Sequence, residues 1–141
     1  MAFSPSIREP INKQIATVQP LWSHAYFPRV ETRDHLCMLV AITVASAFAV
    51  PLTELHAQTR RQQMVAFARQ SAMYLAHVVL GLTLTEIGRA FGRDRTTAAY
   101  ACARVETLRD DPGVDAELEA LEHACRLIKA NHSAVQRVAV A

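Results

Sequence analysis

The sequence predicts an all-α fold, a compact helical bundle containing a helix-turn-helix, on three observations. Apolar residues recur at three- and four-residue steps along several stretches, the period of a helix with one buried face. Helix breakers separate those stretches: Pro51, Gly81, Gly92 and the pair Pro112-Gly113. Apolar residues make up 51% of the 141, ample for one core. One domain with loose ends follows: residues 1–32 as an irregular proline-rich arm, 33–131 as the helical domain and 132–141 as a flexible tail.

Taken in order, the arm holds Pro5, Pro10, Pro20 and Pro28, which prevent a long helix. Its aromatic cluster, Trp22, Tyr26 and Phe27, suits a patch folded back on the domain or a docking site for a partner. Asp34 can cap a helix running to about Ala49, although Val40, Ile42 and Val44 also alternate as a strand would. Length favours the helix, and Pro51 ends it. Leu52 and Leu55 anchor a short turn before the polar stretch HAQTRRQQ. Its adjacent Arg60 and Arg61 read either as solvated surface or as phosphate contacts. From Gln62 to Leu80, Val65, Ala68, Ala72, Leu75, Ala76 and Val79 form a helical stripe that Gly81 closes, with Arg69 and Gln70 on a polar flank. A last helix follows Pro112, striped by Leu118, Leu121, Cys125 and Ile128, and its acidic residues read as a solvated face.

The stretch Thr83 to Leu108, TLTEIGRAFGRDRTTAAYACARVETL, is the most informative. Thr83 and Glu86 have the spacing of a capping box, in which hydroxyl and carboxylate satisfy amides left free at a helix start. Ile87, Ala90 and Phe91 share the inner face of the helix that follows. Gly92 then supplies the left-handed residue that ends it. Asp94 caps the next helix, whose stripe is Ala98, Ala101, Cys102, Val105 and Leu108. That stripe leaves Arg93, Arg95, Thr96, Thr97 and Tyr100 at a solvent-facing helix N-terminus, where a helix-turn-helix contacts bases and phosphates.

Charge agrees with this placement. Residues 56–109 carry eight basic and three acidic side chains, whereas residues 110–130 carry two and six, so a net charge of only +2 conceals a basic region around the motif. A polyanion such as DNA is the partner such a region suits. Three cysteines, Cys37, Cys102 and Cys125, show no CxxC and predict free, mostly buried thiols and a cytoplasmic, nucleoid-associated protein. The run from Leu36 to Val50 is too short to span a membrane. The six histidines form no recognised metal or catalytic set, and GxSxG, HExxH and Gly-rich nucleotide loops do not occur. The expectations are therefore no enzyme, no metal, no cofactor and no nucleotide.

Three segments carry a family resemblance: ARQSAMYLA at 68–76, LTLTEIGRAFG at 82–92 and RDRTTAAYACARVETL at 93–108. Together with VASAF and TEL upstream, they resemble the C-terminal DNA-binding domain of the bacterial replication initiator DnaA, over about Val44 to Leu127. The resemblance implies that Arg93, Asp94, Arg95, Thr96 and Thr97 open the helix that reads the major groove. It also implies that Arg61 enters the minor groove, that Arg69 holds the phosphate backbone, and that Leu84 and Thr85 place backbone amides near a phosphate. Two departures stand out. The family has two glycines before its RDHTT signature where this chain has only Gly92, and Arg95 replaces the signature's histidine. Arginine can donate two hydrogen bonds to guanine, so the preferred sequence should differ from the initiator's. His77 and Leu80 likewise replace polar or basic positions.

No G-x-x-x-x-G-K-[ST] phosphate loop occurs, so the expectation is a DNA-reading domain used without the family's ATPase module. The functional expectation is a sequence-specific double-stranded DNA-binding protein acting as a transcriptional regulator. The alternatives are a replication-control protein competing for initiator sites and a protein-interaction adaptor that keeps the fold without binding DNA. Self-association or a protein partner is assigned to the N-terminal arm.

Overall fold

The computed structural model describes residues 32–57 and 62–140, and these form helices joined by turns, with no strand among the described residues. The helices are α1 (Thr32–Ala47), α2 (Leu52–His56), α3 (Gln63–Val78), α4 (Leu84–Phe91), α5 (Arg95–Leu108) and α6 (Pro112–Val140). The expected arm, with its aromatic cluster, and Arg61 lie outside the described residues.

Burial resolves the ambiguity in α1. Cys37, Val40, Ala41, Val44 and Ala45 are buried, while Ile42, which alternation would have placed beside Val40 and Val44, is exposed. The spacing is helical, and side-chain packing rather than β-branching decides it. Asp34 lies in the first turn instead of preceding it. The helix also stops short of Ala49, which takes a positive φ of 52° and lets the Val50 amide return to the Ala45 carbonyl at 2.9 Å. This left-handed turn buries Val50.

Helix α3 runs through the centre of the domain. Ala68, Ala72, Leu75 and Ala76 are fully buried, and the three alanines let α1 and α5 approach closely. Gly81, at φ 67°, ends this segment as expected, and the Leu82 amide bonds to the Ala76 carbonyl at 3.3 Å. All three cysteines are free and buried, and burial pushes the Cys37 and Cys125 thiols up to about 11.

The last helix differs from expectation. It was expected to end near Asn131 with a flexible tail at 132–141, yet α6 continues to Val140. No glycine or proline follows Gly113, and alanine and arginine are good helix formers, so local propensity gives no stop signal. Its start is held by Asp111, whose side chain accepts hydrogen bonds from the Gly113 and Val114 amides at 2.8 and 3.1 Å. Arg109, at the end of α5, joins the two helices. It donates to Asp115 at 2.6 Å, to Tyr74 Oη at 3.0 Å and to the buried carboxylate of Glu122. Those bonds, Glu122 foremost, hold the guanidinium above its ordinary pKa. Among the described residues, no helix is long and apolar enough to cross a membrane.

Candidate nucleic-acid interface

The Thr83–Glu86 capping box forms as the spacing requires. Glu86 N–H donates to Thr83 Oγ1 at 3.2 Å, and Thr83 N–H donates to Glu86 Oε2 at 2.8 Å. The second carboxylate oxygen accepts from Arg33 of α1 at 2.6 Å, which pins the start of α4 to the first helix. The Thr83 amide bond comes first among the interactions that hold Glu86 below the usual carboxylate range.

Between α4 and α5 the chain reverses in three residues. Gly92 is left-handed at φ 62° and ψ 36°, and the Arg93 amide reaches back to the Gly88 carbonyl at 2.7 Å. Asp94 is then extended, and its carboxylate accepts from the Thr97 amide at 2.6 Å as the N-cap of α5. That bond leads the causes lowering the Asp94 pKa, with the Thr97 side chain next. Gly88, which spacing did not single out, decides how close the two helices come. A Cβ there would lie 2.6 Å from the Arg93 carbonyl oxygen and 3.1 Å from the Asp94 carbonyl.

The expected site residues separate into two groups. Arg95, Thr96 and Thr97 are exposed on the first turn of α5, and Thr85 is exposed on α4. Leu84 is half-buried against the core, so its backbone rather than its side chain is what it can offer a ligand. Arg93 and Arg69 turn inward. Arg93 donates to the Ala57 carbonyl at the end of α2. Arg69 is only 9% exposed and donates to the Leu55 and Glu54 carbonyls at 2.9 and 2.8 Å. It therefore sits inside the domain rather than on the expected polar flank, and it closes the C-terminus of α2. Burial lowers its pKa first, and the neighbouring Arg93 charge lowers it further.

These two arginines share the wall of a cleft of about 630 Å³ between α3 and α5, together with Gln62, Gln63, Gln70, Thr97 and Tyr100. Tyr100 is 63% exposed at its rim. Gln62 and Gln63 were missed as site residues. The available signal was Gln63, about two turns before Gln70 and on the same polar flank of α3. Five donor-bearing side chains around two guanidiniums make a concavity suited to an anionic, hydrogen-bonding ligand.

A helix braced by a buried third helix, a tight left-handed turn and a second helix with its capped N-terminus exposed together define a helix-turn-helix domain, the architecture that places such an N-terminus in duplex DNA. Residues 38–105 match the family model described as the bacterial dnaA protein helix-turn-helix, so the chain is similar to that family over this segment. Among curated proteins, the chain is similar to the chromosomal replication initiator protein DnaA of Laribacter hongkongensis (strain HLHK9), at 36% identity over 86 residues. That match covers 60% of this chain and 18% of the relative. The DnaA of Caulobacter sp. (strain K31) is 44% identical over 69 residues, covering 48% of this chain and 14% of the relative. A solved structure described as a DNA replication initiation factor superposes with a TM-score of 0.62 at 29% identity, over 67% of this chain and 29% of that one. The chain thus spans less than a fifth of either curated relative it matches.

Proposed function

We propose that this chain binds double-stranded DNA sequence-specifically, with the N-terminus of α5 in the major groove and Arg61 in the minor groove, and that it serves as a transcriptional regulator. The carrying observation is the exposed trio Arg95, Thr96 and Thr97 on a capped helix start, flanked by the arginine-lined cleft. Arg95 reads guanine, the Thr96 and Thr97 side chains meet thymine or adenine edges, and the first-turn amides of α4 at Leu84 and Thr85 face a phosphate. Arg93 and Arg69 contribute positive potential from within the cleft, so Arg69 acts on the phosphate backbone through its field rather than by extending into solvent. A second role, control of replication by competition for initiator sites, is supported by the similarity to chromosomal replication initiator proteins.

Selection of bound duplexes from a random pool tests the reading, followed by titration of Arg95→Ala on the selected and on random sequence. Loss of one bidentate base contact should cost the selected site about 1–3 kcal/mol and leave random duplex nearly unchanged. Arg61→Ala should weaken both alike and reduce the salt slope by about one. Equal losses from Arg95→Ala on both duplexes would remove it from base reading. Mapping occupancy across a genome separates the two roles, since binding confined to the origin would favour replication control.

A further inference from the structure

We propose that α6 is a self-association helix, whose outer face pairs antiparallel with the same helix of a second copy of this chain. Its inner face is fixed by Leu118, Leu121 and Cys125, all buried, and by Lys129, which donates to the Val79 carbonyl at 3.1 Å. The ring of His132 meets that of His35 edge-on at 5.4 Å, and residues 133–138 beyond it are all exposed. Leu127, Val135 and Val138 on this part of the helix are 52%, 68% and 78% exposed. A helical extension with no packed face is marginal in water by itself, so these turns call for a partner.

The outer residues have the spacing of a helix–helix seam. Ala120, Ala124, Leu127, Asn131, Ala134 and Val138 follow one another at alternating four- and three-residue steps, the heptad pattern of a coiled coil. All are exposed except the half-buried Ala124. The single polar member, Asn131, is the kind of seam residue that fixes register.

Charge identifies the occupant. From Pro112 to Glu122 the helix carries Asp115, Glu117, Glu119 and Glu122 and no cation, and from His123 onward it carries Arg126, Lys129 and Arg137 and no anion. Asp115 and Glu122 are already paired with Arg109, and Arg126 with Glu122. Two such helices crossing antiparallel near Leu127 bring Arg137 of each copy within one turn of Glu119 of the other, on the same side of the seam because 119 and 137 are about five full turns apart, and set Ala134 level with Ala120. A parallel pair would set the acidic half of one helix beside the acidic half of the other and the basic half beside the basic, which like-charge repulsion opposes. None of the residues lining the α3–α5 cleft belongs to α6, so pairing leaves the reading head open. It also places two DNA-binding modules in one particle, each of which by itself would bury only about 600–1,000 Å² on a duplex.

Sedimentation equilibrium of the full chain over a wide concentration range tests this, with circular dichroism to verify helicity. The wild type should dissociate reversibly from dimer to monomer on dilution. Arg137→Glu and Glu119→Arg should each weaken the dimer about fivefold, since two equivalent contacts are lost, and the double variant should recover wild-type affinity. Leu127→Lys should leave only monomer. If that variant also loses helicity, the charge reversals, at exposed positions, still decide the matter. A chain that stays monomeric throughout, or a dimer indifferent to both reversals, overturns the proposal.

Discussion

Replacing Gly88 with alanine sets two effects of opposite sign against each other. Gly88 lies inside α4, where alanine is favoured over glycine by about 1 kcal/mol of backbone propensity. Propensity by itself thus predicts a more stable domain. The new methyl, however, would stand 2.6 Å from the Arg93 carbonyl oxygen, nearer than non-bonded carbon and oxygen approach, and 3.1 Å from the Asp94 carbonyl carbon and oxygen. Those atoms are backbone in the turn whose Arg93 amide bonds to Gly88 itself at 2.7 Å, so no flexible side-chain end can swing aside. Overpacking costs about 1–3 kcal/mol, and contact with backbone that cannot swing aside puts this case at about 2–3 kcal/mol. The net expectation is destabilisation by about 1–2 kcal/mol, a fall in Tm of about 5–10 °C for a domain of this size. Because relief requires Arg93 and Asp94 to move, α5 shifts with its cap, and affinity for a selected duplex should fall further than the unfolded fraction explains. Thermal unfolding by circular dichroism, paired with fluorescence anisotropy on DNA, measures both. Gly113→Ala is the control, since its methyl would meet only the Asp111 side chain, at 3.1 Å. A Gly88→Ala domain as stable as wild type, or more so, would refute the close-approach account.

Further outcomes follow from the same contacts. Arg69→Gln should lower stability by about 1–3 kcal/mol, because the Glu54 and Leu55 carbonyls lose charge-assisted donors, and a loss of DNA affinity with no loss of Tm would contradict the inward placement. Arg109→Ala strands the buried Glu122 carboxylate and should cost about 3 kcal/mol, the lower end for a broken buried pair because Arg126 remains; Arg109→Met with Glu122→Met should recover most of it on urea denaturation. Asp94 has a pKa depressed in the folded state, so its contribution is complete above the unfolded carboxylate value and is lost as pH falls through the folded one. Stability measured against pH should therefore drop less steeply on the acid side in Asp94→Asn, which keeps an acceptor for the Thr97 amide but does not titrate.

The reading head was the most legible part of the chain because its signals are local. A capping box, a left-handed glycine and an aspartate cap each involve residues within four positions of one another, and all three form as their spacing requires. Local signals were weaker where they competed. In α1 the alternation of Val40, Ile42 and Val44 was outweighed by burial at Cys37, Val40, Ala41 and Val44, and in α6 no breaker marked the expected end at Asn131.

By itself, then, the sequence determined the helices, the caps of α4 and α5 and the exposed start of α5, since hydrogen-bonding needs and a 3.6-residue period are written in neighbouring residues. Tertiary structure decided where three arginines point. Arg69 finds carbonyls 14 and 15 positions away, Arg93 one 36 away, and Arg109 a tyrosine 35 away. It also made Gly88 indispensable, because only the crossing of α4 and the following turn brings a carbonyl against its Cα. Arginine side chains are long and donate to whatever acceptors the fold delivers, so their partners emerge only when the helices have packed.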